Sequence, residues 1–502
     1  MVESKKIVIV GGGASGWAAS LMIQKRMPSL DISVIESEEI GILGAGEGTV
    51  PNFVDFLNYV DIDLQEFICS TNSTFKNGVK FTNWNGDGKY FYHNFPSVEP
   101  SMSKDAFNKY NVFWFLNTQN NIESENFDFA SLANNNNKCL NMINNNQIQQ
   151  LGSFAIHFDA ALLAKFLKEK ALDRGVKRVE GKVSEISNNQ NGDIEYIYVG
   201  NKKIKCDFVF DCSGFARLII GDHYKTKWNS YSEYLPVDSA VPFFLDIDPN
   251  IIEPYTEAIA MKHGWMWKIP LQSRYGCGYV FDSNIISEVE AIKEIEEYLG
   301  FEPFYPRKTK GGFKFDPGCF ENVWVKNCFA LGVASGFVEP LEATSFYTWL
   351  EFLKEALSDI DALFNKNQNY INNVNKKWNK FNNEVMSFIY FHYITKRDDS
   401  VFWKQFRNIE NAPELVKNTL STWEHSLPRY DHFDTSSAFI YENWIKVGYG
   451  LGLLNDKLIK DSISSNNFDS EAFWQFRKNR EDIAKNHLID HAQLIKMMGA
   501  KN

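Results

Sequence analysis

The chain has no surplus of positive charge. Its 63 aspartates and glutamates outnumber 52 lysines and arginines, for a formal net charge of −11. Nucleic acid and anionic membranes both call for a basic surface, so neither is expected as the main partner. Paired cysteine spacing is missing too. The seven cysteines (Cys69, Cys139, Cys206, Cys212, Cys277, Cys319, Cys328) are odd in number, scattered and without a C-x-x-C. That argues against a zinc site or a disulfide framework and suits a reduced compartment. No apolar run approaches membrane-spanning length, and no repeat recurs at a fixed period. MVESKKIVIVGGG runs into a strand without a signal-peptide apolar region. A cytoplasmic protein is the expectation.

What is present is a large globular chain. At 502 residues, 44% hydrophobic and 15% aromatic, it can bury an extensive core and is expected to form two packed modules. KKIVIV (5–10) is a short apolar strand of the kind covered on both faces of a parallel sheet, and DISVIES (31–37) reads as the second strand. KFTNW, KYFYHNF, YIYVG, CDFVFDCSG and YGCGYVFD read as further strands. FDAALLAKFLKEKALDRG reads as a helix closed by a glycine. Strand signals fade after about Pro340, and helical patterns dominate from there. The expected architecture is α/β, with residues 1–350 as a Rossmann-like nucleotide-binding module carrying mixed sheets and 351–502 as a mainly helical module. The asparagine-rich pieces 134–146 and 365–377 are expected as surface loops or polar helix faces.

Gly11, Gly13 and Gly16 form G-x-G-x-x-G between the first strand and a helix. The first glycine makes the turn, the second lets backbone N–H groups approach a pyrophosphate, and the third lets helix pack on strand. Glu36, twenty residues after Gly16, stands where an acid accepts from a ribose hydroxyl. DFVFDCSGFAR (207–217) is an apolar strand ending in D-x-S-G, as in many FAD-dependent monooxygenases, and this favours FAD over NAD. With one such fingerprint and no second nucleotide site, reduced flavin is expected from a separate reductase. HGWMWKIP (263–270) poses a different problem. Alternation sends Trp265 and Trp267 to one face of a strand, as a buried strand end or as a plug between two compartments.

The motifs together resemble the flavin-dependent halogenases, and within them the tryptophan-halogenase branch. The resemblance rests on GGGASGWAAS, GILGAGEGTVPNF, FKNGVKFTNW, HFDAALLAKFL, DCSGF, LPVDSA, HGWMWKIPL, GYVF and ALGVASGFVEPLEATS, which occur in the family's order. It implies a reaction in two chambers: reduced FAD, dioxygen and halide generate hypohalous acid, which passes through the protein to an aromatic substrate. It assigns FAD contacts to Gly11, Gly13, Ser15, Gly16, Glu36, Gly46, Glu47, Val183, Asp211, Gly214, Gly332 and Val333.

The same resemblance makes Lys80 the essential lysine that polarises or captures the halogen, and Glu342 the carboxylate that stabilises the ring cation and takes its proton. Thr344 and Ser345 stand where backbone N–H groups hold the halide, with Ala343 and Ser345 replacing a more usual serine and glycine. Trp265 and Trp267 become the barrier between flavin and substrate. Phe81, His93, Phe95 and Trp444 line the aromatic pocket, and Trp84 is a further candidate. An adjacent tyrosine pair that grips free tryptophan in the family is not reproduced around 441–452, so a plain indole or phenol is an equal candidate. No metal is implied, and a homodimer is compatible with the pattern. The competing readings are a flavin-dependent aromatic hydroxylase, whose substrate must touch the flavin, and a non-catalytic flavin-binding protein.

Overall fold

The computed structural model describes residues 4–39, 47–97, 117, 123–126, 128–144, 147–306, 312–429, 432–433, 437–464 and 470–499. The chain forms two compact units, each built from three separate stretches: residues 1–73, 158–235 and 316–383 in one, and 74–157, 236–315 and 384–502 in the other. The expected boundary near residue 350 is therefore corrected. Strands far apart in sequence pair within each sheet, so proximity along the chain does not define the units.

The first unit holds a six-stranded sheet in the order 177–180, 31–36, 6–10, 208–211, 328–330 and 324–325. All neighbours are parallel except the last pair. Four of the five residues of Lys6–Val10 are buried, as a strand covered on both faces requires. Helix Ala14–Arg26 packs small and apolar residues Ala18, Ala19, Leu21 and Ile23, all with no exposed surface. Val8, Val10, Ile35, Ile197 and Val209 belong to one core cluster. Each such burial stabilises by about 1.5–3 kcal/mol. Helix Ala160–Asp173 starts as HFDAALL predicts, with the Asp159 carboxylate accepting from the Ala161 and Leu162 amides.

The second unit is organised around a seven-stranded sheet in the order 313–314, 239–245, 275–281, 264–270, 256–260, 78–82 and 90–94. Cross-strand register sorts its side chains into two faces. Phe81 stands opposite Phe91 and Ala258, and Ala258 opposite Trp267. One residue along, Lys80 stands opposite Tyr92 and Glu257, and Glu257 opposite Lys268. Phe81, His93, Trp265 and Trp267 thus share one face, and Lys80 belongs to the other.

The asparagine-rich stretch 134–146 is not simply a loop. Lys138–Asn144 pairs with Gln147–Gln150 as a hairpin and with Leu488–Asp490 on its other edge. Cys139 and Leu140 are buried there while Ile143 is exposed, so burial follows neither a strand nor a helix period for a sequence pattern to find. Most of the second stretch forms the start of helix Gln368–His392, with Ile371 and Val374 turned into the core. No described helix is long and apolar enough to cross a membrane.

Candidate active site

The glycine fingerprint of the first unit is shaped for a dinucleotide. Gly11 has φ +121°, and a Cβ there would meet the Cys212 carbonyl at 2.0 Å. A Cβ on Gly16 would strike the Gly11 carbonyl at 1.9 Å, which is the close helix-to-strand packing expected of the third glycine. Gly13 differs. Nothing lies within 4 Å of where its Cβ would be, and it caps helix Ala14–Arg26 without a side-chain bond. Open space at a helix N-terminus suits a pyrophosphate, so the residues present fit FAD. Gly332, at φ +66°, approaches so closely that its Cβ would lie 2.6 Å from Ser15 Oγ. Ser15 and Gly332 are therefore brought together from opposite ends of the unit's sequence.

Other cofactor candidates take more specific roles. Glu36 Oε1 accepts from Lys168 Nζ and Arg178 Nε, each at 2.5 Å, while Oε2 accepts from Trp17 Nε1 at 3.2 Å. Burial pushes its carboxyl upward, but the hydrogen bonds and charges of Lys168 and Arg178 outweigh this and hold it below the usual range. The buried Asp211 spends both oxygens on its own loop. Oδ1 accepts from the Ser213 amide and hydroxyl, and Oδ2 from the Ile219 and Ile220 amides. It shapes the turn that carries Gly214 at φ +64°. Val183 packs against the cluster containing Val8 and Val10, and Val333 lies in the short helical turn Gly332–Ala334. Glu47 is pushed up to about 7, first by burial and then by the neighbouring Asp159 charge. Gly46 lies outside the described residues.

Glu342 and Ala343 are consecutive non-glycine residues in the left-handed region, at φ +65° and +54°. Each such residue costs about 1–3 kcal/mol, a cost that clusters at functional sites. The Glu342 carboxylate is buried, and helix Thr344–Ser358 begins immediately after with no side-chain cap. Ser345 lines a cavity with Gly332, Phe337, Thr348, Trp349 and Trp378. The halide-side candidate Ser345 and the flavin-side candidate Gly332 thus border the same space. Thr344 is buried, and its carbonyl accepts from the Thr348 hydroxyl at 3.0 Å.

In the second unit the aromatic candidates converge. Phe81 stacks on Phe91 at 5.0 Å and 11°, and lies 5.0 Å from the His392 ring. His93 packs 5.6 Å from Phe388, and its Nε2 is bonded by Asn443 Nδ2 at 2.9 Å. Trp444 stacks on Phe433 at 5.4 Å and lies 5.2 Å from Phe388. Trp84 instead sits in the core, donating to the Ala258 carbonyl at 3.0 Å. Trp265 and Trp267 meet edge-on at 6.4 Å, and the Trp267 indole occupies the space a Cβ on Gly278 would need.

Lys80 is not on this face. Its ammonium is 3.6 Å from Glu257 and 4.0 Å from the Tyr90 ring centroid, in a half-buried ladder of charges and tyrosines. Lys76, four residues earlier and not singled out by the sequence reading, is fully buried. Its ammonium lies 5.5 Å from the Phe95 ring. The signal for it was present, since FKNGVKFTNW contains both lysines. What hid it is the break at Asn77 between strands Thr74–Lys76 and Gly78–Thr82, which stops alternation from carrying across.

The tryptophan halogenase family profile matches residues 6–461. The chain belongs to the tryptophan halogenase family. Among its relatives, tryptophan 7-halogenase RebH of Lentzea aerocolonigenes is 31% identical over 434 residues, covering 81% of this chain and 79% of that protein. Tryptophan 6-halogenase SttH of Streptomyces toxytricini is 30% identical over 466 residues, covering 87% and 86%. The solved structure of Xcc4156, a flavin-dependent halogenase from Xanthomonas campestris, superimposes with a TM-score of 0.86 at 26% identity, covering 99% and 98%. This chain is thus an enzyme of the flavin-dependent halogenase class. Membership bears out the Rossmann-like expectation and the halogenase reading, and sets aside the hydroxylase and the non-catalytic binder. FAD, halide and a small aromatic substrate come with the family.

Proposed function

We propose that this halogenase acts on an indole or phenol without requiring an amino-acid side arm, and that Lys76 rather than Lys80 is its essential lysine. Bound reduced FAD, with dioxygen and halide, supplies the oxidising equivalent as hypohalous acid. Gly11, Gly13, Ser15, Gly16 and Gly332 hold the cofactor, with Glu36 bracing the glycine loop. The uncapped N–H groups at Thr344 and Ser345 hold the halide, since a helix N-terminus favours an anion. A separate reductase delivers the reduced flavin.

The complete burial of Lys76 beside Phe95 carries the lysine assignment. A buried amine keeps one position and can hydrogen-bond hypohalous acid, so the site chooses the carbon that reacts. Lys80 shares its charge with Glu257 on the opposite sheet face, where it stabilises the ladder. Glu342 takes the role of stabilising the ring cation and accepting its proton. On the substrate side, His93 and Asn443 offer one polar contact among Phe388, Phe433 and Trp444. The nearby Lys446 ammonium is already bonded to the Asn94 carbonyl at 2.9 Å and paired with Asp128 at 3.6 Å, which leaves it poorly placed for a substrate carboxylate.

The test supplies reduced FAD, dioxygen, each of chloride, bromide and iodide, and a panel of indole, phenol and L-tryptophan, with product mass as readout. Lys76→Ala should lose about two orders of magnitude in halogenated product, and Lys80→Ala less than about threefold. The reverse pattern returns the role to Lys80. Turnover of L-tryptophan well above that of indole overturns the substrate assignment.

A further inference from the structure

His157, which opens the HFDAALLAKFL motif, and His491, which lies outside the motifs above, meet the short strand Thr74–Lys76, and their hydrogen bonds constrain their protonation. Thr74 Oγ1 donates its single hydrogen to the Pro270 carbonyl at 2.6 Å, so at 3.0 Å from His157 Nδ1 it accepts. His157 therefore carries its proton on Nδ1. With the ring neutral, Nε2 is the acceptor and takes the Thr256 hydroxyl hydrogen at 2.8 Å. His491 gives the same answer from a different element. Its Nε2 accepts from the Phe75 amide at 3.0 Å, and its Nδ1 donates to the Ile252 carbonyl at 3.0 Å. Both rings are completely buried. One grips the strand through the side chain of Thr74, the other through the backbone of Phe75, and Lys76 follows directly.

Resting on the assignment of Lys76 above, we propose that His157 and His491 are positioning residues that hold the Thr74–Lys76 strand, and with it the lysine ammonium, as a matched pair of neutral clamps. Neutrality matters for geometry and for charge. A second proton on His491 removes the acceptor for the Phe75 amide. One on His157 removes the acceptor for Thr256 and sets a second cation against Lys76. Among the described residues the two rings face each other, Lys76 also faces His157, and Asp490 and Glu253 face His491. Burial and the Lys76 charge both hold His157 well below its ordinary range, in the direction the hydrogen bonds require. Glutamine mimics this state, since its amide offers an N–H donor group beside an oxygen acceptor and does not titrate.

The test compares His157→Ala, His491→Ala, the two glutamine variants and Lys76→Ala in the full-length holoenzyme. Misplacing the amine by an ångström should lower kcat for indole halogenation by about a hundredfold in the alanine variants, with KM for indole within about threefold. Release of hypohalous acid to a freely diffusing 1,3-dicarbonyl trap should be unchanged, and the glutamine variants should recover kcat to within about tenfold. In the wild type, imidazole nitrogen NMR at pH 7 should show two neutral rings protonated on Nδ1. Undiminished kcat in both alanine variants, or a charged ring, overturns the clamp while leaving the lysine assignment standing. An equal loss of trapped hypohalous acid and of indole product points to a general structural role and also overturns it. An active Lys76→Ala variant removes the lysine assignment on which the clamp rests, and the NMR result then reports on the clamp alone.

Discussion

Lys76 and Lys80 lie in one motif, yet their surroundings differ in kind. Lys80 keeps partial contact with water and a carboxylate at 3.6 Å, the arrangement of a half-buried ion pair of modest value. Lys76 is shut away beside an aromatic ring, where a cation is expensive, and that cost is the ground for the role proposed for it. Gly13 makes a similar contrast with Gly11 and Gly16. A methyl group at either neighbour has nowhere to go, whereas at Gly13 it enters open space. Gly13→Ala should therefore fold with a melting temperature close to wild type and still bind FAD at least tenfold more weakly, about 1.4 kcal/mol. Equilibrium dialysis against FAD beside a thermal melt checks both halves, and unchanged affinity takes Gly13 out of the cradle. Glu47 offers a titration at the same scale. Its carboxyl is raised to about 7 in the folded protein by burial and by Asp159. Its stabilising contribution is thus complete below the unfolded value near 4.5 and is lost as pH rises through 7. Urea midpoints measured from pH 4.5 to 8 should fall for the wild type and fall less steeply for Glu47→Gln.

At the scale of elements, the short strand Thr74–Lys76 is gripped at both ends. Thr74 is tied to the Pro270 carbonyl and to His157, while Asn77 donates its backbone N–H to Pro254 at 2.7 Å and its side chain to Asn134 and Lys138. A three-residue strand has little pairing energy of its own, and these polar contacts, each worth about 1 kcal/mol, supply its rigidity. His491 enters from helix His491–Met497 near the C-terminal end of the described chain. Its pKa is lowered to about 4, chiefly by burial. For a base depressed in the folded state, stability is complete above the unfolded value near 6.5 and declines as pH falls toward 4. His491→Gln should flatten that acid decline in a denaturation series from pH 7 to 4.5, and an unaltered slope would show that His491 does not titrate with folding.

At the scale of the molecule, flavin chemistry and aromatic substitution must be kept apart and yet connected. Trp265 and Trp267 share a face with Phe81 and His93, which is the arrangement a wall facing the substrate side requires. Replacing both by alanine should leave FAD bound while more hypohalous acid escapes to a soluble trap and the product becomes a mixture of positional isomers. Retained regiochemistry with no added escape reduces the pair to core packing. The net charge of −11 fits a protein whose partners are a small aromatic molecule, a halide and a flavin.

Much of this was legible in the sequence wherever chemistry is local. The fingerprint 11–16, the strand before it, the helix after it and the acid at 36 are one continuous βαβ instruction, and their spacing alone specifies the cradle. The turn proposed for the halide is local too, since Pro340 to Ser345 forms a strained corner opening onto a helix. Local pattern failed where distant strands had to meet. No periodicity reveals that Asn77 interrupts the strand, or that Asp211 is consumed by its own loop. Nor does it bring His491 against Phe75 across 416 residues. The sequence by itself determined the nucleotide fold, the family and the residue types available to the reaction, because those depend on neighbours along the chain. Only the tertiary structure decided which lysine is buried and which histidines hold it, because burial and hydrogen-bond partners are set by the pairing of strands that the chain keeps far apart.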